Sequence, residues 1–349
     1  MSEPSALAAT PMAYAHNMVE TLVARGLPWA DLIKQVQIPP KELPNLHARI
    51  TAAQMESLSA LVMGRLNDEA LGWFERALPW GSYGLLARAS TSAPSLAIAL
   101  KRWCRHHGLL TRAVRWQMHT ATGQGVAIEL GTPGVSAAQL EFCSVTLLRN
   151  LLGFASWVVD SRIALRSVAF AFPAPTHAEA YGVLFACPVV FDAPQTRMVL
   201  DARYLQLTPC RSEDDTRAML QRALPLTVRH YRRDRLLVQQ VRQLMRRHPR
   251  EMRDAESIAH ALSMSVRSLH RQLCAEGAQL QSLKTEVRMR LAEQLLGRSD
   301  KPIKQVAHAV GFDDDKSFSR AFKGWSGLPP QRFRDQRTGA AVTELLSAK

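Results

Sequence analysis

The stretch GFDDDKSFSRAFKGWSGLPPQRFR, Gly311 to Arg334, decides how this chain is read. Gly311 marks a tight turn, and Asp313 or Asp314 can cap the first N–H groups of a following helix. In that helix Phe318, Phe322 and Trp325 recur at the spacing that places them on one buried face. Asp315, Lys316, Ser317, Ser319 and Arg320 remain for the polar surface. Upstream, Val306, Ala307 and Val310 form the apolar side of a short helix, with Pro302 suited to its first turn. Two helices joined by a tight turn make a helix-turn-helix, here spanning 302–325.

Similar text occurs 48 to 49 residues earlier. IAHALSMSVRSLHRQL, Ile258 to Leu273, and VAHAVGFDDDKSFSRAF, Val306 to Phe322, differ by one inserted residue. Ile258, Ala259 and Leu262 supply the first apolar side, Asp254 the cap, and Leu269 and Leu273 the buried face of the second helix, so a further helix-turn-helix is expected at 254–275. Its polar face holds Arg267, Ser268, His270 and Arg271. A helix of this kind fits the major groove, where Arg bonds guanine bidentately, Lys reaches the same acceptors and Ser contacts base edges or phosphate. One such face alone reads better as solvated surface; recurrence of the whole unit favours a duplex.

Between the units, Leu280 to Leu296 lacks Pro and Gly and carries Leu283, Val287, Leu291, Leu295 and Leu296 at helical spacing. A connecting helix of about 25 Å is predicted. Reading helices on one face would enter successive major grooves about 34 Å apart, unless the duplex bends to meet them. Arg288, Arg290 and Arg298 on or near the connector, with Lys304 at the second unit, are candidate phosphate contacts.

The net charge of +14 is uneven. Residues 229–349 hold 24 Lys and Arg against 13 Asp and Glu, a balance of +11, while residues 1–228 hold 20 against 17. A basic end suits a polyanionic partner, although a solvated basic face gives the same count. The five cysteines, Cys104, Cys143, Cys187, Cys210 and Cys274, are scattered and never in a C-x-x-C pair, so they read as reduced, mostly buried thiols. No apolar run is long enough to span a bilayer, and a cytoplasmic location is expected.

The last hundred residues resemble the DNA-binding domain of the AraC/XylS family of transcription regulators. Gly311, Phe312, Phe318, Arg320, Phe322, Gly327, Pro330 and Arg334 stand at the family's signature positions, and the resemblance extends over 235–335. It implies base contacts at Arg267, His270 and Arg271 in the first reading helix, and at Asp315, Lys316, Ser317 and Arg320 in the second. Two departures stand out. Asp313, Asp314 and Asp315 form an acidic run in place of the family's single acid, and Gly324 replaces a usually long side chain, which costs about 1 kcal/mol of helix propensity relative to Ala and predicts fraying near Trp325.

Helical patterns at Ala13 to Arg25, Thr51 to Leu66 and Ser95 to His107 precede or flank strand-like runs at Ala113 to Met118, Val126 to Leu130, Ser167 to Phe172 and Val189 to Phe191. The stretches GSYGLLARASTSAPSLAIALKRW and FPAPTHAEAYGVLFACPVVFDAPQTRMVLD resemble the arabinose-binding type of N-terminal domain. That resemblance implies a small-molecule sensor and dimerisation platform, without implying a sugar.

The expected fold class is thus an α+β N-terminal sensor domain, 1–204, and an all-α DNA-binding domain, 234–336, with two helix-turn-helix units joined by a long helix. A linker at 205–233, helical from about Thr216, and a flexible tail at 337–349 complete the plan. Trp73, Trp80, Trp103, Trp116 and Trp157 are candidate pocket walls, with Arg102 and Arg105 as attractors for an acidic effector. Cys104, His106 and His107 do not make a metal site, because adjacent helical residues diverge by about 100°.

Together these features predict a small-molecule-responsive activator acting as a homodimer on double-stranded promoter DNA with RNA polymerase. No cofactor, metal or membrane is expected. The alternatives are a ligand-independent DNA binder, or an enzyme with an appended helix-turn-helix domain. The enzyme requires a reactive P-C-H-R cysteine, which neither Cys187 before Pro188 nor Cys210 before Arg211 supplies.

Overall fold

The computed structural model describes residues 10–336 except 124, 230, 232 and 233. The chain divides into two compact units after Asp234. In the first, the short pair β1 (Thr10–Pro11) and β2 (Arg49–Ile50) joins α1 (Met12–Ala24), α2 (Ala30–Gln35) and α3 (Ala52–Leu66). Two further helices follow, α4 (Ser82–Thr91) and α5 (Leu96–Leu110). Thr51 and Gln54 form a reciprocal capping box that starts α3, and Ser95 caps α5.

A five-stranded sheet lies beyond, built from β3 (Arg115–Ala121), β4 (Gly125–Gly131), β5 (Leu165–Ala169), β6 (Val189–Val190) and β7 (Thr196–Asp201) in the order β3-β4-β7-β5-β6. Among the described residues only β5 and β6 pair in parallel. The longest helix, α6 (Ala137–Val158), is buried almost without interruption from Phe142 onward. Its apolar side chains encircle it, so it lacks the polar stripe that would reveal a surface helix. α7 (Glu179–Phe185) packs Tyr181 and Phe185 against Phe170 beside β5.

The expected linker at 205–233 is corrected. Ser212 and Asp215 form a capping box that opens α8 (Glu213–Gln221), and α9 (Leu224–Val228) follows at once. Both helices belong to the first unit. Thr216, Met219 and Thr227 are buried, Arg222 meets Glu56 at 2.5 Å, and Arg149 of α6 donates to the Thr227 carbonyl at 2.8 Å. A Cβ on Gly153 would lie 2.0 Å from the Leu226 carbonyl oxygen, so the missing side chain lets α9 lie directly on α6. The domain boundary therefore falls at 234 rather than 204, because capping, burial and ion pairs bind the segment to α3, α4 and α6.

The second unit contains α10 (Leu236–Arg247), α11 (Ala255–Ala261), α12 (Val266–Ala275), α13 (Leu280–Arg298), α14 (Ile303–Ala309) and α15 (Asp315–Ser326), with residues 330–336 again helical. It has two cores. Ile258, Leu269 and Leu273 pack with α10 and with Leu280, Leu283 and Val287 of α13. Val306, Phe318 and Phe322 pack with Ala292 and Leu296 of the same helix. The connector is thus a shared wall. The tail expected at 337–349 lies outside the described residues.

Candidate nucleic-acid interface

The two helix-turn-helix units use the same turn. After α11, Met264 N–H reaches back to the Ala259 carbonyl at 2.9 Å and Ser263 adopts φ +54°. After α14, Phe312 N–H reaches the Ala307 carbonyl at 3.0 Å and Gly311 adopts φ +89°. The spacing is 48 residues up to this point. It becomes 49 at the helix caps, Ser265 on the Ser268 N–H and Asp314 on the Ser317 N–H. The inserted residue is therefore Asp313.

Asp313 extends away from its own unit and meets Arg253, just ahead of α11, at 2.5 Å. The Arg253 guanidinium holds the Asp313 carboxyl below the usual carboxylate range. Nearby, a Cβ on Gly311 would lie 2.6 Å from the Pro249 carbonyl oxygen, and the Arg288 guanidinium sits 5.2 Å from the Phe312 ring centre. These contacts, together with α13, tie one helix-turn-helix unit to the other. The acidic run is accounted for: Asp313 is the latch, Asp314 is the cap and Asp315 opens α15.

Each helical residue turns by about 100°, which sorts the candidate contacts. Around α12, Arg267, His270 and Arg271 share the face opposite buried Leu269 and Leu273, and all three are exposed. Around α15, Lys316, Ser319 and Arg320 take the equivalent face opposite Phe318 and Phe322. Cys274 and Lys323 lie three residues beyond Arg271 and Arg320 on these faces and are also exposed. Both continue the i, i+3, i+4 spacing and were readable from it.

Other expected contacts lie elsewhere. Ser268 and Ser317 sit at the flanks, and their N–H groups complete the caps; Ser268 Oγ also meets Ser265 Oγ at 3.0 Å. Asp315 is exposed in the first turn of α15, about 100° from the centre of the basic face. Arg288 is half-buried with its guanidinium over the Phe312 ring, and burial lowers its pKa. Arg290 pairs with Glu286 at 3.2 Å, and the same carboxylate holds Arg242 of α10 at 2.6 Å. Arg298 and Lys304 are exposed.

Residues 26–209 match the family model described as the arabinose-binding N-terminal domain of AraC transcription regulators. The chain belongs to the AraC family. A helix-turn-helix domain model matches residues 258–336. The ornithine utilization regulator of Pseudomonas aeruginosa is 25% identical over 326 residues, covering 93% of this chain and 96% of the relative. The transcriptional activator RhaS of Citrobacter koseri is 36% identical over 83 residues, 24% of this chain and 30% of its own. The crystal structure of the transcriptional regulator CdpR from Pseudomonas aeruginosa aligns with 93% of this chain and 98% of its own at 18% identity, with a TM-score of 0.31.

This AraC-family member is accordingly a DNA-binding transcription regulator with a ligand-responsive domain, not an enzyme. No described helix is long and apolar enough to cross a membrane. In the sensor unit, Trp103 is core, its ring 4.5 Å from that of Phe154, and Trp157 lies buried beneath Arg211. Trp116 meets His107 edge-on. Arg102 staples α4 to α5 through the Ala89 carbonyl and Ser92, and Arg105 is exposed. Trp80, Trp73 and, although buried, Trp103 do line cavities. Of the cysteines only Cys143 is fully buried, and Cys274 is exposed, correcting the expectation of mostly buried thiols.

Proposed function

We propose that this regulator reads promoter DNA with two matched helix faces, Arg267, His270, Arg271 and Cys274 on α12 and Lys316, Ser319, Arg320 and Lys323 on α15. Support comes from the 49-residue correspondence of these positions around equivalent caps and buried faces. Arg298 and Lys304 contact phosphate and set register. The faces enter successive major grooves about 34 Å apart, the duplex bending where the match is imperfect.

The protein acts in the cytoplasm as a homodimer and activator, contacting RNA polymerase from the promoter. A small-molecule effector shifts the population between arrangements with different DNA affinity. Arg271→Ala and Arg320→Ala are each expected to weaken a specific site by about 1 to 3 kcal/mol and relax preference at one base pair. Titrations on the specific duplex and on random duplex check this. Equal losses on both would mean that these arginines contact phosphate only.

A further inference from the structure

The walls of three cavities in the sensor unit share Glu69 and Asn150. The outer one, about 620 Å³, opens beside exposed Trp80 and runs between α3, α4 and the α8–α9 pair, with Ala60, Met63, Leu220 and Leu224 as apolar wall. Two smaller chambers of about 60 and 50 Å³ continue inward to Trp73. The outer volume lies in the range of small-molecule sites.

The charged groups of the wall are already engaged. Glu69 accepts the N–H groups of Gly81 at 2.7 Å and Tyr83 at 2.8 Å, where α4 begins. At the rim Arg222 holds Glu56 and Arg88 holds Glu213 at 3.0 Å. Deeper in, the Tyr83 hydroxyl and the Trp73 indole N–H are shielded from solvent and have no hydrogen-bond partner. An unmade bond at a buried polar group is costly, and native structures rarely leave one. Both groups can donate. Tyr83 is held in place by its edge contact with Trp103, 5.4 Å between ring centres.

We propose that this chambered cavity is the effector site, and that it takes a small molecule with an apolar body and an oxygen acceptor, carbonyl or carboxylate, directed at Tyr83 and Trp73. The proposal rests on the effector-responsive reading above. An ammonium group is disfavoured, because both wall carboxylates are occupied by N–H groups or by arginine. The site also has a route outward: Leu220, Leu224 and Thr227 form its wall, and their helices are the last of the sensor unit before the chain enters the second unit at 235. A ligand that favours one position of α8–α9 therefore acts on the segment leading to the reading helices.

The test uses the full chain and three probes of one shape: phenylacetate, phenylacetone and phenethylamine. The acid and the ketone are expected to raise the melting temperature and quench tryptophan fluorescence saturably, and the amine to do neither. Tyr83→Phe should weaken both active probes by about fivefold or more, yet raise the melting temperature of the ligand-free protein, since the unpaired hydroxyl is gone. Ala60→Trp should narrow the outer chamber and weaken the response. The assignment is overturned if the amine binds as well as the others, if Tyr83→Phe leaves probe affinity unchanged, or if no probe binds by about 10 mM. Promoter-DNA affinity without probe is measured in parallel. Loss of probe binding with DNA binding intact refutes the pocket alone; the reverse refutes the DNA reading.

Discussion

At the scale of single residues, Ser263 and Gly311 show how one backbone shape is met by two side chains. Both sit in the left-handed region at the same point of the same turn, at φ +54° and +89°. For an L side chain that region costs about 1 to 2 kcal/mol. Ser263→Gly removes that strain but adds unfolded-state entropy, so a gain of about 0.5 kcal/mol is expected. Gly311→Ala meets both the strain and the Pro249 carbonyl oxygen, 2.6 Å from the new Cβ. Its expected cost is about 2 to 4 kcal/mol, with loss of promoter binding. Urea unfolding of the two variants checks the contrast, and a harmless Gly311→Ala would mean that the contact with Pro249 is not formed in solution.

At the scale of elements, the latch between helix-turn-helix units sets how the reading helices are presented together. Asp313→Ala should leave each helix intact but weaken specific binding more than random-duplex binding, because correct spacing matters only when both faces read bases. Equal weakening on both duplexes would show that the latch does not align the faces. α15 also corrects the expectation of fraying: it continues to Ser326, Gly327 closes it at φ +76°, and Trp325 packs on Phe312. Gly324 stands in open space, so Gly324→Ala is expected to stabilise the protein by about 1 kcal/mol in the same urea titration. The second unit was legible in the sequence because its helices are amphipathic and the pattern occurs twice. α6 was not, since burial around its whole circumference leaves no period to read. In β7, inward Thr196 and outward Val199 blur the two-residue alternation. The cavity was illegible for another reason: Glu69, Tyr83, Asn150 and Leu224 meet only through folding, and no spacing along the chain marks them.

At the scale of the whole molecule, the two units carry different burdens. The excess positive charge belongs to residues 229–349, so promoter affinity should fall steeply with salt, by about 10³ or more between 50 and 200 mM if six or more phosphates are contacted. One acid-sensitive group lies in the sensor unit. His107 is buried on α5, and burial pushes its imidazole down to about 4 from 6.5. Between those values the unfolded chain binds a proton that the folded chain refuses, so the unfolded state gains as pH falls. The contribution of His107 is therefore complete above pH 6.5 and is lost progressively toward pH 4. Between pH 7 and 5 the loss is expected to be about 2 kcal/mol. Six of the seven tryptophans lie in the sensor unit and only Trp325 in the other, so tryptophan fluorescence during urea unfolding follows mainly the first unit. That signal should move to lower urea at pH 5, and His107→Met, which cannot titrate, should flatten the shift. If the variant keeps the full pH dependence, His107 is not the group that refuses the proton, and the acid sensitivity of the sensor must arise elsewhere in its core.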